Sequence, residues 1–134
     1  MTQLVVLDAS AVLAFLQTEP GHEQVRAALQ NDHCVVTAAN QAEVISKILD
    51  KGIKPLVITN LLQELGYEVI DVSVADGPVA GLIRKDTKIF GLSLGDRLCL
   101  ASAQRLSATV LTADRVWLKL ATTLNLKIIC IRPE

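Results

Sequence analysis

Short apolar segments alternate along this chain with longer segments of helical periodicity, and this alternation limits the folds it can adopt. Five segments rich in β-branched residues are predicted to be strands: residues 3–7, 33–37, 68–72, 109–112 and 127–131. Helical patterns occupy residues 9–17, 22–29, 41–51, 55–65, 94–106 and 115–124, with a less regular helical segment within 74–90. Strands that alternate with helices predict an α/β fold, in which helices cover both faces of a parallel sheet of roughly five strands.

The size and charge of the chain exclude several broad classes. Its 134 residues, 51% of them hydrophobic, predict a single domain over residues 1–134. The formal net charge of -1 gives no overall attraction to nucleic acid or to a membrane surface. The N-terminus lacks a signal-peptide pattern, and no apolar run approaches the roughly 18 residues of a membrane span. Contact with a polyanion would therefore be local.

Cysteine usage predicts a cytoplasmic protein with reduced thiols. Cys34, Cys99 and Cys130 are odd in number, lie in apolar stretches and have neither paired nor metal-ligand spacing. A zinc site is not expected, because His22 and His33 are the only histidines and neither lies near a cysteine pair.

Four acids are placed where such a fold would bring them to one edge of the sheet. Asp8 and Asp114 follow the first and fourth predicted strands, and Glu43 and Asp96 lie near the starts of predicted helices. Ligands of open α/β sheets bind beyond the carboxyl ends of the strands, so the four carboxylates are expected to share one pocket. Crowded carboxylates stay ionised only beside a positive centre, and hard oxygen ligands select Mg²⁺ or Mn²⁺.

Each acid also has a purely structural explanation, which taken singly is the more common one. Asp8 and Asp114 stand where helix N-caps stand, and Ser93 with Asp96 has the spacing of a capping box. Glu43 lies beside the apolar stripe of its helix, where solvated acids are common. As a set they favour a site, because Asp96 shares a helix face with the apolar residues Cys99 and Leu100.

Hydroxyl groups two residues from two of these acids add neutral oxygens. Ser10 follows Asp8 and Thr112 precedes Asp114. Such hydroxyls can orient a carboxylate or bind a metal-bound water, or they can simply bond to local backbone. Divalent ions held by carboxylates polarise phosphoryl oxygens and activate water. The set therefore predicts metal-dependent phosphodiester hydrolysis.

Four stretches resemble PIN-domain ribonucleases, and particularly the VapC-type toxins of bacterial toxin-antitoxin modules. They are residues 6–14 (VLDASAVLA), the helix that carries Glu43, residues 91–97 (GLSLGDR) and residues 111–115 (LTADR). The resemblance spans essentially the whole chain, and the ordered series of motifs is more specific than the first motif alone. It implies a three-layer α/β/α sandwich and Mg²⁺- or Mn²⁺-dependent endoribonuclease activity.

The same resemblance implies roles and partners. Asp8, Glu43, Asp96 and Asp114 would form the catalytic metal site, with Ser10 and Thr112 as supporting oxygens. The family implies a homodimer, an inhibiting antitoxin, and structured RNA substrates, often tRNA or ribosomal RNA. Many relatives have a further acid shortly after the position of Asp114, whereas residues 115–117 have none. This departure leaves open whether one or two metal ions bind.

Two further sets of contacts are expected around this site. Arg97 and Arg115, which each follow a proposed ligand, are candidates for contacts with RNA phosphates. Phe15 and Leu62, on two strongly apolar helices, are candidates for antitoxin binding, although core packing explains such residues as well.

Other enzyme classes fit the motifs less well. A haloacid-dehalogenase pattern needs a second acid two residues after Asp8, where Ser10 stands, and the acid pair and lysine of a receiver domain are also absent. No G-x-G-x-x-G motif follows the first strand, so dinucleotide binding is not expected. The remaining alternative is a catalytically silent PIN-like module that binds RNA or protein.

Overall fold

A computed structural model describes residues 3–132 and contains a five-stranded parallel sheet. Its strands are β1 (Leu4–Leu7), β2 (His33–Thr37), β3 (Glu68–Ile70), β4 (Thr109–Thr112) and β5 (Ile128–Cys130). The order across the sheet is β3-β2-β1-β4-β5, and every neighbouring pair is parallel. β3 and β5 are each two residues shorter than the sequence predicted. Both are edge strands, which pair on one side only.

Helices occupy the intervals between these strands. They are α1 (Ala9–Leu16), α2 (His22–Asn31), α3 (Ala38–Asp50), α4 (Pro55–Leu65), α5 (Asp76–Leu82), α6 (Arg84–Thr87), α7 (Leu94–Leu106) and α8 (Ala121–Leu124). Short 3-10 helices span Lys88–Phe90 and Arg115–Leu120. Within residues 3–132, no helix is long and apolar enough to cross a membrane.

Two helical predictions differ from the structure in informative ways. α3 begins three residues earlier than predicted, because Thr37 caps it by accepting a hydrogen bond from the backbone N–H of Asn40 at 3.1 Å. Residues 115–124 form a 3-10 helix followed by one α-helical turn, rather than a single α-helix.

Apolar side chains from both faces of the sheet form two clusters. Val5 and Leu7 of β1 pack with residues of α1 to α4, whereas Val6 packs on the opposite face with residues from α7 and α8. This alternation along a strand is the period-two pattern of a sheet that is buried on both faces. The result is the three-layer α/β/α sandwich that the resemblance implied.

The order of the strands fixes where a ligand can bind. β1 pairs with β2 on one side and with β4 on the other. β2 and β3 therefore extend the sheet in one direction from β1, and β4 and β5 extend it in the opposite direction. The crevice of a doubly wound sheet opens at such a reversal, beyond the carboxyl ends of the two central strands. Here the residues at that edge are Asp8, immediately after β1, and Asp114, two residues after β4.

A partly buried ion pair that the sequence did not indicate joins α5 to α7. The carboxylate of Asp76 is 1% exposed and accepts hydrogen bonds from Arg105 Nε at 2.9 Å and Arg105 Nη2 at 3.1 Å. Ser102 Oγ and the backbone N–H of Ser73 donate to the same carboxylate at 3.0 Å. These bonds, above all those from Arg105, lower the pKa of Asp76 to about 2.

We expect Asp76→Asn to destabilise the fold above about pH 4 and to lose that effect in stronger acid. Because the folded-state pKa lies below the ordinary value of 3.8, the ionised carboxylate contributes stability above that value, and the contribution disappears as pH falls through about 2. A shift of this size corresponds to about 2 kcal/mol. Urea unfolding of both proteins from pH 2 to 6 measures the gap, with the exposed Asp71→Asn as control. A gap that stays constant down to pH 2 would contradict this assignment.

Candidate active site

Asp8 lies at the centre of the crevice and is held by several donors. It is 2% exposed, and its Oδ1 caps α1 by accepting the backbone N–H of Ala11 at 2.8 Å. Ser10 Oγ donates to Oδ1 at 2.7 Å, and Thr112 Oγ1 donates to Oδ2 at 2.6 Å. The capping role and the site role of Asp8 are therefore compatible. A carboxylate has about four lone-pair sites, so a further partner can still bind.

The two hydroxyls that hold Asp8 are themselves oriented by the end of β4. Ser10 Oγ accepts the backbone N–H of Ala113 at 2.9 Å, and Thr112 Oγ1 accepts that of Asp114 at 3.0 Å. Each hydroxyl therefore points its own hydrogen at the Asp8 carboxylate. The carboxylate is fixed in position by both central strands of the sheet.

Burial makes the ionised form of Asp8 costly. Its pKa is raised from 3.8 to about 6, chiefly by desolvation and to a lesser extent by the negative charge of Asp96, against the lowering effect of the bonds from Thr112, Ala11 and Ser10. A nearby cation would favour the ionised form.

Glu43 reaches the crevice from the second turn of α3, where a neighbouring amide holds it. Asn40 Nδ2 donates to Glu43 Oε1 at 2.7 Å and to the carbonyl oxygen of Gly95 at 3.3 Å. Both partners are acceptors, so the amide NH₂ must face them and Asn40 Oδ1 must point elsewhere. Asn40 is fully buried, and its Oδ1 has no hydrogen-bond partner among residues 3–132.

Gly95, in the first turn of α7, lets this helix approach the Glu43 carboxylate. A Cβ at position 95 would overlap Glu43 Oε1 and lie 2.7 Å from Glu43 Cδ. Any larger residue would therefore displace the carboxylate. The backbone of Gly95 has an ordinary helical conformation, which any residue could adopt. This position therefore needs a glycine for the close approach of Glu43 and not for its backbone conformation.

Asp96 enters the crevice from the same turn of α7 and completes a capping box. Its Oδ2 accepts the backbone N–H of Ser93 at 2.9 Å, while Ser93 Oγ accepts the N–H of Asp96 at 3.2 Å. The capping explanation is thus correct for Asp96, and it also fixes the direction in which the carboxylate points.

Three of the four predicted acids lie close enough to the buried thiol of Cys99 for their charges to act on it. Burial raises the pKa of Cys99 well above its usual range, and the negative charges of Asp8, Asp96 and Glu43 raise it further. Asp114 lies at the same edge but is exposed, and its Oδ1 caps the 3-10 helix by accepting the N–H of Val116 at 3.1 Å. It is linked to the others through Thr112.

The donor set fits a hard divalent cation in its chemistry. It supplies carboxylates of three elements, and the buried Asp8 has a raised pKa that a cation would lower. Within residues 3–132, no three His, Cys, Asp or Glu side chains lie close enough together to enclose an ion by themselves. Mg²⁺ commonly keeps several waters and takes only one or two carboxylates, so an open arrangement suits it.

Two sequence predictions around the site conflict with the structure. Arg97 is buried, 8% exposed, and its Nη1 donates to the carbonyl of Ala80 at 2.9 Å, so it faces α5 instead of an RNA phosphate. Leu62 is 5% exposed and belongs to the core, so it does not offer a partner surface. The exposed apolar residues of α4 are Leu56 and Val57 instead.

The other two predictions are compatible with where the structure places the residues. Phe15 is half-buried and packs against the core. Arg115 is exposed, and its Nη2 donates to the carbonyl of Arg132 at 3.4 Å.

Sequence reasoning missed Asn40 and Gly95. One signal was available for Asn40, because residues i and i+3 of a helix are neighbours and Asn40 precedes Glu43 by three. No local signal indicates that Gly95 meets Glu43, since the contact joins helices 52 positions apart.

Comparison with known proteins gives one family. A family model described as "PIN domain" matches residues 5–122. No curated protein matches the chain.

Solved structures with a similar fold include toxin-antitoxin complexes. VapBC2 from Rickettsia felis, bound to a DNA fragment from its promoter, has 19% identity and a TM-score of 0.71 over 95% of this chain and 98% of that one. A toxin-antitoxin complex from Klebsiella pneumoniae has 14% identity and a TM-score of 0.75, covering 97% and 99%. VapBC-1 from nontypeable Haemophilus influenzae has 20% identity and a TM-score of 0.70, covering 96% and 98%.

Proposed function

The chain belongs to the PIN-domain family, and from this we propose that it is a divalent-metal-dependent endoribonuclease that hydrolyses RNA phosphodiester bonds. The observation that supports the proposal is that α7, which carries Asp96, lies directly against the Glu43 carboxylate at Gly95, and that the charges of Asp8, Glu43 and Asp96 all act on the buried Cys99 of the same helix. A fold alone would not require three acids there, because neighbouring carboxylates repel one another.

PIN-domain nucleases generally use a divalent metal, and Mg²⁺ or Mn²⁺ suits these oxygen donors. Asp8, Glu43 and Asp96 would hold it, with Asp114 as an outer fourth acid. When bound, such an ion polarises the phosphoryl oxygen and lowers the pKa of an attacking water.

Neighbouring residues hold the three carboxylates in position. Ser10 and Thr112 fix the Asp8 carboxylate, Asn40 fixes Glu43, and Ser93 fixes Asp96. Groups fixed before the substrate arrives need no reorganisation during the reaction. Arg115, which is exposed beside Asp114, is a candidate for contact with a neighbouring phosphate.

The test is cleavage of purified RNA by the purified protein in Mg²⁺ or Mn²⁺, with an EDTA control. We expect cleavage that needs the metal, is lost in Asp96→Asn, and falls less in Asp114→Asn because that carboxylate is exposed and peripheral. Cleavage that survives both chelation and Asp96→Asn would refute the mechanism. RNA binding without any cleavage would instead favour the catalytically silent module.

We also propose that the protein is the toxin of a toxin-antitoxin pair and acts as a homodimer on a structured RNA such as tRNA or ribosomal RNA. The support is that similar solved structures are toxin-antitoxin complexes. Phe15 and the exposed Leu56 and Val57 are candidates for the antitoxin contact. A neighbouring small reading frame that encodes a DNA-binding protein, and its co-purification with this chain, would test the pairing.

A further inference from the structure

A groove leads away from the acidic site between α1 and the C-terminal half of α3. Its volume is about 470 Å³, and Ser10 is one of the residues that line it. Because Ser10 Oγ donates to both oxygens of Asp8, at 2.7 and 2.9 Å, this part of the groove adjoins the acidic site. A ligand that extends along the groove would therefore meet the reacting centre.

Two lysines that follow Glu43 along the chain lie on one wall of the groove. Lys47 and Lys51 line the groove and are exposed. They follow Glu43 at positions i+4 and i+8, with Lys47 in the last turn of α3 and Lys51 as its C-cap. The three residues therefore lie along one side of this helix and its C-terminal end. Four helical residues advance about 6 Å, so the positive charges are spaced along the groove and not clustered at one point.

The charge of the groove favours an anionic ligand. Neither lysine forms a salt bridge with another residue in the range 3–132. Arg132 contributes a third cation on the lining, and its Nη2 lies 3.8 Å from Oε1 of Glu19, which offsets that acid. Asp50 is the other acid on the lining. Three cations therefore face two carboxylates, in a chain whose overall charge is negative.

We propose that this groove holds the backbone of single-stranded RNA next to the cleaved bond, with Lys47 and Lys51 each neutralising one phosphate. The proposal rests on the proposed nuclease function and adds the path of the substrate. The volume is in the range of small-molecule pockets, which suits a short stretch of a single strand. Contacts with phosphates position a strand without reading its sequence.

The test is salt-dependent binding of a fluorescein-labelled, mixed-sequence single-stranded RNA in EDTA, where metal-dependent cleavage does not interfere. The double variant Lys47→Gln/Lys51→Gln is compared with wild type. Lys127→Gln is the matched control, because it is an exposed lysine that immediately precedes β5, at the opposite edge of the sheet. For two lost phosphate contacts, the magnitude of the slope of log K against log salt should decrease by about 1.4, with affinity about 25-fold lower at 0.1 M salt.

The outcomes separate this proposal from the proposed function. An RNA-binding defect confined to the double variant supports the groove even if wild type cleaves nothing in Mg²⁺ or Mn²⁺. Equal slopes in wild type, control and double variant would overturn it even if cleavage is robust. Tighter binding of a polyglutamate peptide than of RNA, lost in the double variant, would assign the groove to an acidic protein segment and also overturn it. Circular dichroism establishes that the variants are folded.

Discussion

Asp8→Asn is expected to abolish RNA cleavage while stabilising the metal-free protein at pH 8. Loss of a residue that merely supports a metal ligand typically costs 10- to 100-fold, so loss of a ligand should cost at least about 100-fold. Cleavage of RNA in Mg²⁺ measures the first effect. The exposed Asp71→Asn, placed just after β3, should leave cleavage unchanged.

The gain in stability follows from the raised pKa of Asp8. The folded protein holds this proton up to about pH 6, whereas the unfolded chain releases it near 3.8. Stability therefore falls as pH rises between these values, and the ionised carboxylate destabilises the fold above about pH 6. The shift corresponds to about 3 kcal/mol. Asparagine cannot ionise, and after about 1 kcal/mol for a weakened hydrogen bond the expected gain at pH 8 is about 2 kcal/mol.

Urea unfolding in EDTA at pH 4 and pH 8 separates this effect from others. Asp8→Asn should be clearly more stable than wild type at pH 8, but equal to it or slightly less stable at pH 4, where Asp8 is protonated in the folded protein and only the weakened hydrogen bond remains. The Asp76 ion pair does not interfere, because its stability changes below about pH 4 and in the opposite direction. If the stabilities of wild type and variant changed by the same amount between the two pH values, the pKa of Asp8 would not be raised in the folded protein.

The sheet was predictable because buried parallel strands read as short apolar runs, and each predicted strand contains a strand of the structure. The carboxyl edge was predictable for the same reason, since Asp8 directly follows one such run and Asp114 lies two residues after another. Capping chemistry at Ser93 and Asp96 is local, so the sequence showed it as well. Features set by neighbouring residues were therefore accessible.

The direction in which a helical side chain points could not be predicted from neighbouring residues. Arg97 is next to Asp96 in sequence, but successive residues on a helix point about 100° apart, and this turn directs Arg97 toward Ala80 of α5. Leu62 lies on the buried stripe of α4 with Ile58, whereas Leu56 and Val57 lie on its exposed side. Both sides of α4 are rich in apolar residues, so its composition does not show which side is buried. Asn40 and Gly95 acquire their roles from the packing of α3 against α7. This packing joins distant segments, so no local sequence pattern predicts it.

Gly95→Ala is the sharpest test of that docking, because it is expected to reduce cleavage about 10- to 100-fold with little effect on stability. The new Cβ overlaps the Glu43 carboxylate, which is the end of a flexible side chain and can move aside. Moving it breaks the bond from Asn40 and takes Glu43 away from Asp8 and Asp96. Alanine is also the better helix former by up to about 1 kcal/mol, which offsets the strain.

A double-mutant cycle with Glu43→Gln shows whether the glycine acts through Glu43. If it does, Gly95→Ala should add almost nothing to the loss already caused by Glu43→Gln, because the two changes disable one group. Gly81→Ala in α5 is the control, since a Cβ there meets nothing within 4 Å in the described part of the chain and should leave cleavage intact. Full activity in Gly95→Ala, or losses that add in the double variant, would mean that the position of Glu43 against α7 is not what cleavage requires.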